Sequence, residues 1–102
     1  MRHRNLGNAA ALVLAALSRG VRYGFDIMDH TSLKSGSVYR ALARLEELGL
    51  ARSKWEAASL AVKQKRPRRR YYEITAAGER ELAGTRDSLR AFADKLAPPE
   101  RG

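Results

Sequence analysis

Leu33-Lys-Ser-Gly-Ser-Val-Tyr-Arg-Ala-Leu-Ala-Arg-Leu-Glu-Glu-Leu-Gly-Leu50 holds one short amphipathic helix with its own start and stop signals. On a helical wheel Val38, Leu42 and Leu45 fall within a narrow arc, with Ala41 and Leu48 beside it, so this face seeks a core. Ser37, Arg40 and Arg44 lie on the far side. Ser35 suits the N-cap and Gly49 ends the helix, which sets it at about residues 35–48. Further along, Lys63-Gln-Lys-Arg-Pro-Arg-Arg-Arg70 runs straight into Tyr71-Tyr-Glu-Ile-Thr75. A helix that displays polar side chains, followed by a basic loop between two strand-like segments, is the layout of a winged helix-turn-helix.

The flanking segments fit that layout. A first helix is expected from about Leu6 to Ser18, with Asn5 as its N-cap and Gly20 past its end. Leu6, Ala9, Ala10, Val13, Leu14 and Leu17 keep the spacing of a buried stripe. A second short helix covers Tyr23 to His30 and buries Phe25, Ile27 or Met28, and Thr31 to Ser35 form the turn. Leu50 to Glu56 and Arg69 to Thr75 read as antiparallel strands. The connection from Ala57 to Arg68 is long for a hairpin loop, so a mobile wing is expected over about residues 56–69. Thr75 caps a final helix from Ala76 to about Leu96, stopped by Pro98-Pro99. The fold class is therefore mainly α with a small β-hairpin. Residues 1–75 make the winged-helix body, and residues 76–102 a C-terminal dimerisation helix and tail.

A chain of 102 residues makes one domain with a modest core. It has no cysteine, which removes disulfides, thiol catalysis and cysteine-based zinc sites. Net charge is +9, unevenly spread. Residues 1–50 hold seven Lys/Arg against four Asp/Glu, residues 51–75 eight against two, and residues 76–102 five against five. Two-thirds of the excess thus sits around the expected wing. Clustered positive charge suits a polyanion, since each neutralised phosphate releases condensed counterions; a merely solvated loop is the plainer reading. The apolar run Ala9 to Leu17 follows Arg2 and Arg4, but it has no convincing signal-peptide cleavage site and is too short to span a bilayer. A cytoplasmic protein without a membrane partner is expected.

On the third helix Lys34, Ser35, Ser37, Arg40 and Arg44 are placed to meet base edges in a major groove, where an arginine fork can satisfy two guanine acceptors. Tyr39 lies to the flank, within reach of a phosphate. An ordinary surface helix is the alternative for that segment alone. Lys63, Lys65, Arg66, Arg68, Arg69 and Arg70 give the wing its cations, suited to a phosphate backbone or a narrow minor groove. Arg69 and Arg70 alternate along a strand, so they cannot both face the same way. Trp55, Tyr71 and Tyr72 are expected to pack between strand and helix rather than stack on bases. Asp26 and His30 share a helix face, but no further ligand completes a metal site. Glu46 and Glu47 are adjacent and diverge, and no phosphate loop, nucleophile elbow or triad is visible. No cofactor and no enzymatic activity are expected. Leu82, Leu89, Phe92 and Leu96 form an apolar stripe, with Ala93, on the last helix, which suggests a homodimer interface.

Tyr23-Gly24-Phe25, Ser35-Gly36-Ser37-Val38-Tyr39, Leu45-Glu46 with Gly49-Leu50, Trp55, and Arg69-Arg70-Tyr71-Tyr72-Glu73-Ile74-Thr75 with Gly78 occur in order. With that order and spacing the chain resembles the PadR family of bacterial transcriptional regulators from about Leu6 to Leu82. Family members often carry a proline after the helix tyrosine, where this chain has Arg40. The resemblance implies a phosphate contact for Tyr39 and pairing through helices at the chain ends. It also implies a small apolar or aromatic effector between subunits, though no residue marks such a pocket.

The sequence is therefore expected to be a homodimeric repressor that binds double-stranded DNA at an inverted-repeat operator. A sequence-neutral basic nucleic-acid-binding protein is the rival and would show affinity without preference. An accessory or small-molecule-binding protein would show no salt-dependent binding to any duplex.

Overall fold

The computed structural model describes residues 6–100. Three helices come first: α1 (Asn8–Ser18), α2 (Gly24–Thr31) and α3 (Ser35–Glu47). The strand β1 (Ala51–Trp55) and the six-residue helix α4 (Ala58–Lys63) lead to β2 (Arg70–Ile74), and α5 (Ala76–Leu96) closes the chain. The expected class holds, a helix-rich winged fold with one two-stranded antiparallel hairpin.

Apolar side chains from all three N-terminal helices meet in one core. Leu14, Ile27, Leu42, Leu45, Val13 and Val38 are almost wholly excluded from water. Leu50, Ala51, Tyr72 and Leu82 close it from the hairpin and α5. α1 begins at Asn8 with Gly7 before it, two residues later than its apolar stripe suggests; Asn5 lies outside the described residues. α2 buries Ile27, whereas Phe25 is 78% exposed. After α2, Ser32 turns left-handed at φ 61°. The Thr31 hydroxyl fixes that end, donating to the Ile27 carbonyl at 2.7 Å and accepting from the Leu33 N–H at 3.3 Å.

α3 is entered differently from the expectation. Lys34 holds the cap position in an extended conformation, with no side-chain cap, and Ser35 is the first helical residue. Gly49 ends α3 at φ 74°, and the Leu50 N–H reaches back to the Leu45 carbonyl at 2.8 Å. Only a residue free to adopt a left-handed backbone makes that closure without strain.

The hairpin pairs Ala51 with Ile74 through to Trp55 with Arg70. On the other edge of β2, the Tyr72 N–H donates to the Arg22 carbonyl at 2.8 Å, and Tyr23 bridges Tyr71. Thr75 joins hairpin to helix. Its hydroxyl donates to the Gly49 carbonyl at 2.7 Å and accepts from the Gly78 N–H at 3.0 Å, satisfying an orphan donor of the first turn. The Ser18 hydroxyl donates to the Glu79 carboxylate at 3.0 Å and so ties α1 to α5. Leu82 is 3% exposed and belongs to this core, not to the expected interface stripe. From Arg86 to Leu96 every residue is exposed, so about 16 Å of α5 projects from the body.

Candidate nucleic-acid interface

Helical geometry sorts α3 into three faces. Val38, Ala41, Leu42 and Leu45 turn inward and are buried. Gly36, Arg40, Ala43 and Glu47 are exposed on the opposite face. Two small residues thus stand on either side of Arg40, leaving its side chain uncrowded along that face. The guanidinium of Arg40 folds back toward the helix start, its Nη1 3.7 Å from where a Cβ on Gly36 would stand. Ser37 and Arg44 sit to one flank, lining a shallow groove with Leu6 to Ala10. Lys34 and Ser35 are exposed at the α3 entry.

Tyr39 occupies the other flank and faces α2 and the hairpin. A Cβ on Gly24 would lie 2.2 Å from the Tyr39 hydroxyl oxygen, so only glycine at the start of α2 lets the ring lie there. Tyr39 then becomes one wall of a cleft of about 490 Å³. Tyr23, Phe25, Trp55, Tyr72, Arg69 and Arg70 complete most of the lining. Residues of α3 and of the hairpin thus share one depression.

The hairpin is fastened to α3 by a polar chain. Arg70 donates to the Ser53 hydroxyl at 2.6 Å, and that hydroxyl donates to Glu46 on α3 at 2.9 Å. Arg70 also stands 3.6 Å from the Glu46 carboxylate. Its charge is therefore partly spent within the chain. Burial pushes the Tyr72 hydroxyl above its ordinary pKa, and the Arg70 charge opposes this. On the outer face of the hairpin, Glu73 pairs with Lys54 at 3.3 Å and Arg52 at 3.5 Å. Its pairing with Lys54 is the main cause that holds the Glu73 carboxyl below its usual value.

The six wing cations fall into distinct settings. Lys63 and Lys65 are exposed, Lys65 in a left-handed backbone at φ 54°. Arg68 is exposed, and its Nε donates to the Glu56 carbonyl at 3.0 Å. Arg69 lies over the Tyr23 ring, 5.6 Å from its centroid. Arg66 is largely withdrawn, paired with the buried Glu56 carboxylate. The expected mobile loop is instead partly ordered: it contains α4, with Ala61 buried, and closes on the Glu56–Arg66 pair. Trp55, expected in the packing, is 57% exposed and flanked by Arg68 and Arg70 at 5.9 and 6.0 Å from its ring centroid. Gly36, Ala43 and Glu56 are additions to the sequence-derived set. The first two are visible on the helical wheel as the outermost small residues.

Among the described residues no group of His, Asp and Glu is arranged to hold a metal ion, and no helix is long and apolar enough to cross a membrane. None of the curated protein sequences compared with the chain matches it. Several solved structures match it well. A PadR family transcription regulator from Clostridium difficile R20291 is 26% identical, with 88% of this chain and 94% of that one covered at a TM-score of 0.69. A PadR-like transcriptional regulator from Bacillus cereus is 26% identical, with 89% and 92% covered at a TM-score of 0.64. A PadR-like transcription factor from Bacteroides fragilis shares the fold at 22% identity, with 85% and 84% covered and a TM-score of 0.72. Residues 13–84, from the middle of α1 into α5, match the family model described as the transcriptional regulator PadR-like family. That match takes in the helix-turn-helix, the hairpin and the joint to α5, and the chain belongs to the PadR-like family of transcriptional regulators.

Proposed function

We propose that this regulator is a cytoplasmic homodimeric repressor that reads an inverted-repeat operator through α3 and grips the flanking backbone with its wing. The observation that carries the reading is the shared cleft, where Tyr39 of α3 faces Arg69 and Arg70 of the hairpin, beside an α3 face bearing Arg40 between Gly36 and Ala43. A helix in a major groove places its outward residues on base edges, and cations beside it meet phosphates. Lys34, Ser35 and Ser37 stand at the helix start, where base contacts concentrate. Lys63, Lys65 and Arg68 are the wing residues best placed for phosphates. The dimer is supported by Leu89, Phe92 and Leu96, which are 57%, 60% and 68% exposed on the free length of α5. Soluble proteins usually cover such a stripe, and a two-fold dimer matches a palindromic site.

The test begins by selecting binding sites from random duplexes at physiological salt. A palindromic consensus is expected, bound at least about a thousandfold more tightly than random sequence. Arg40→Ala should then lower operator affinity by about 1–3 kcal/mol and relax preference at one position. Affinity without any consensus would favour the sequence-neutral reading.

A further inference from the structure

The wing contains a buried carboxylate that DNA binding leaves unexplained. Glu56, between β1 and α4, is 5% exposed and is the one buried charged residue among those described. Arg66 closes on it with two guanidinium nitrogens, Nη1 to Oε1 and Nη2 to Oε2, the latter at 3.3 Å. The Arg69 backbone N–H donates to Oε1 at 2.8 Å. The main chain of Glu56 is held as well: its N–H donates to the Arg69 carbonyl at 2.9 Å, and its carbonyl accepts from Arg68 Nε at 3.0 Å. All these partners lie on the returning limb of the same arm. The Arg66 N–H reaches the Ala61 carbonyl at 3.1 Å, joining that limb to α4.

By charge alone a carboxylate within a cationic arm weakens attraction to a polyanion. It also withdraws Arg66, whose side chain is 18% exposed, from phosphate contact. What the carboxylate supplies is shape. A buried charge is tolerated only when paired and hydrogen-bonded, so the Glu56 contacts select one conformation of the loop. The Arg66 hydrogen bond, the leading cause, keeps the carboxyl below its usual pKa and thus ionised at neutral pH. A loop ordered in advance loses less entropy when it docks.

We propose that Glu56 is a positioning residue for DNA, acting through Arg66 and Arg69 to hold the wing in a preformed shape that presents Lys63, Lys65 and Arg68 to the backbone. The inference rests on the DNA-binding reading above. It makes a prediction opposite in sign to simple electrostatics: removing this negative charge weakens binding.

The experiment compares the full chain with Glu56→Gln on the selected operator and on a random duplex. The variant should bind both at least about tenfold more weakly, the equivalent of one charge-assisted hydrogen bond. Its salt slope should flatten by about 0.9 for each phosphate it ceases to neutralise. Trypsin should cut faster after Lys63, Lys65 and Arg68 while the helical circular dichroism is kept. The double variant Glu56→Gln with Arg66→Gln keeps the net charge and leaves no buried charge unpaired; weak binding by this folded protein is expected too. Equal or tighter binding by Glu56→Gln, or binding at unaltered strength by the double variant, would overturn the positioning role alone. Failure of the unaltered protein to bind any duplex would overturn the DNA reading and the positioning role together.

Discussion

Replacing Gly78 with alanine probes the seat of α5 on the winged body. Gly78 is buried in the first turn of α5. A Cβ there would lie 2.1 Å from the Leu50 carbonyl oxygen and 2.6 Å from Ile74 Cγ1. Ile74 can turn away. The Leu50 oxygen cannot easily do so, because it accepts from the Thr75 N–H at 3.1 Å and anchors the base of the hairpin. Two effects compete. Alanine gains about 0.5–1 kcal/mol of helix stability over glycine. Forcing a methyl against fixed backbone costs about 1–3 kcal/mol or more. The overlap is deep enough that the second effect wins, with a net loss of about 1–2 kcal/mol. At about 4–8 °C per kcal/mol for a domain of this size, Tm should fall by roughly 5–15 °C. Melts followed by circular dichroism at matched protein concentration measure it, since any dimer links Tm to concentration. A variant melting at or above the unaltered protein would refute the claim that backbone contact fixes the start of α5.

Gly24→Ala should behave differently, because the overlapping atom is the tip of the half-exposed Tyr39 side chain and can swing aside. Stability should change by less than about 1 kcal/mol while operator affinity falls, and unchanged affinity would argue against a DNA contact by Tyr39. Leu89→Glu with Phe92→Glu should give a monomer by light scattering that keeps its helical signal and loses cooperative operator binding; a persisting dimer would refute the α5 interface. Glu56 and Glu73 are both held below the usual carboxylate value of 4.5, so their contribution to stability is present above that pH and is lost as pH falls through their lower native values. Melts between pH 6 and 3 should show Tm declining below about pH 4.5, whereas a flat profile would count against either pairing.

The parts of this fold carried by periodicity are legible in the sequence. The inward arc of α3, the Gly49 stop and the Thr75 cap depend on contacts within a few residues, and sequence spacing reports those directly. Ser35 misleads because a favoured cap residue stands one place beyond the true boundary, which Lys34 holds by backbone conformation alone. The wing is harder to read. Its order depends on Glu56 meeting Arg66 across ten residues, and both lie outside helices and strands, where no periodicity links them. Spacing puts Trp55 in the packing because strand aromatics usually find a covering helix. A sheet of two strands leaves one end uncovered, and Trp55 lies there. Leu82 continues the spacing of Leu89 and Phe92, but only the position of α1 decides where coverage by the body stops. The outward row of α3 is present on the helical wheel; its joint cleft with the hairpin needs the tertiary structure.

Trp55 is the sole tryptophan in the chain, lines the cleft between α3 and the wing, and has the guanidinium groups of Arg68 and Arg70 close to its ring. Indole emission responds to water and to nearby charge, and here each chain has a single indole to interpret, excitable apart from its tyrosines. The protein thus carries an intrinsic optical gauge at the place where helix and wing meet, legible in unlabelled material and in real time.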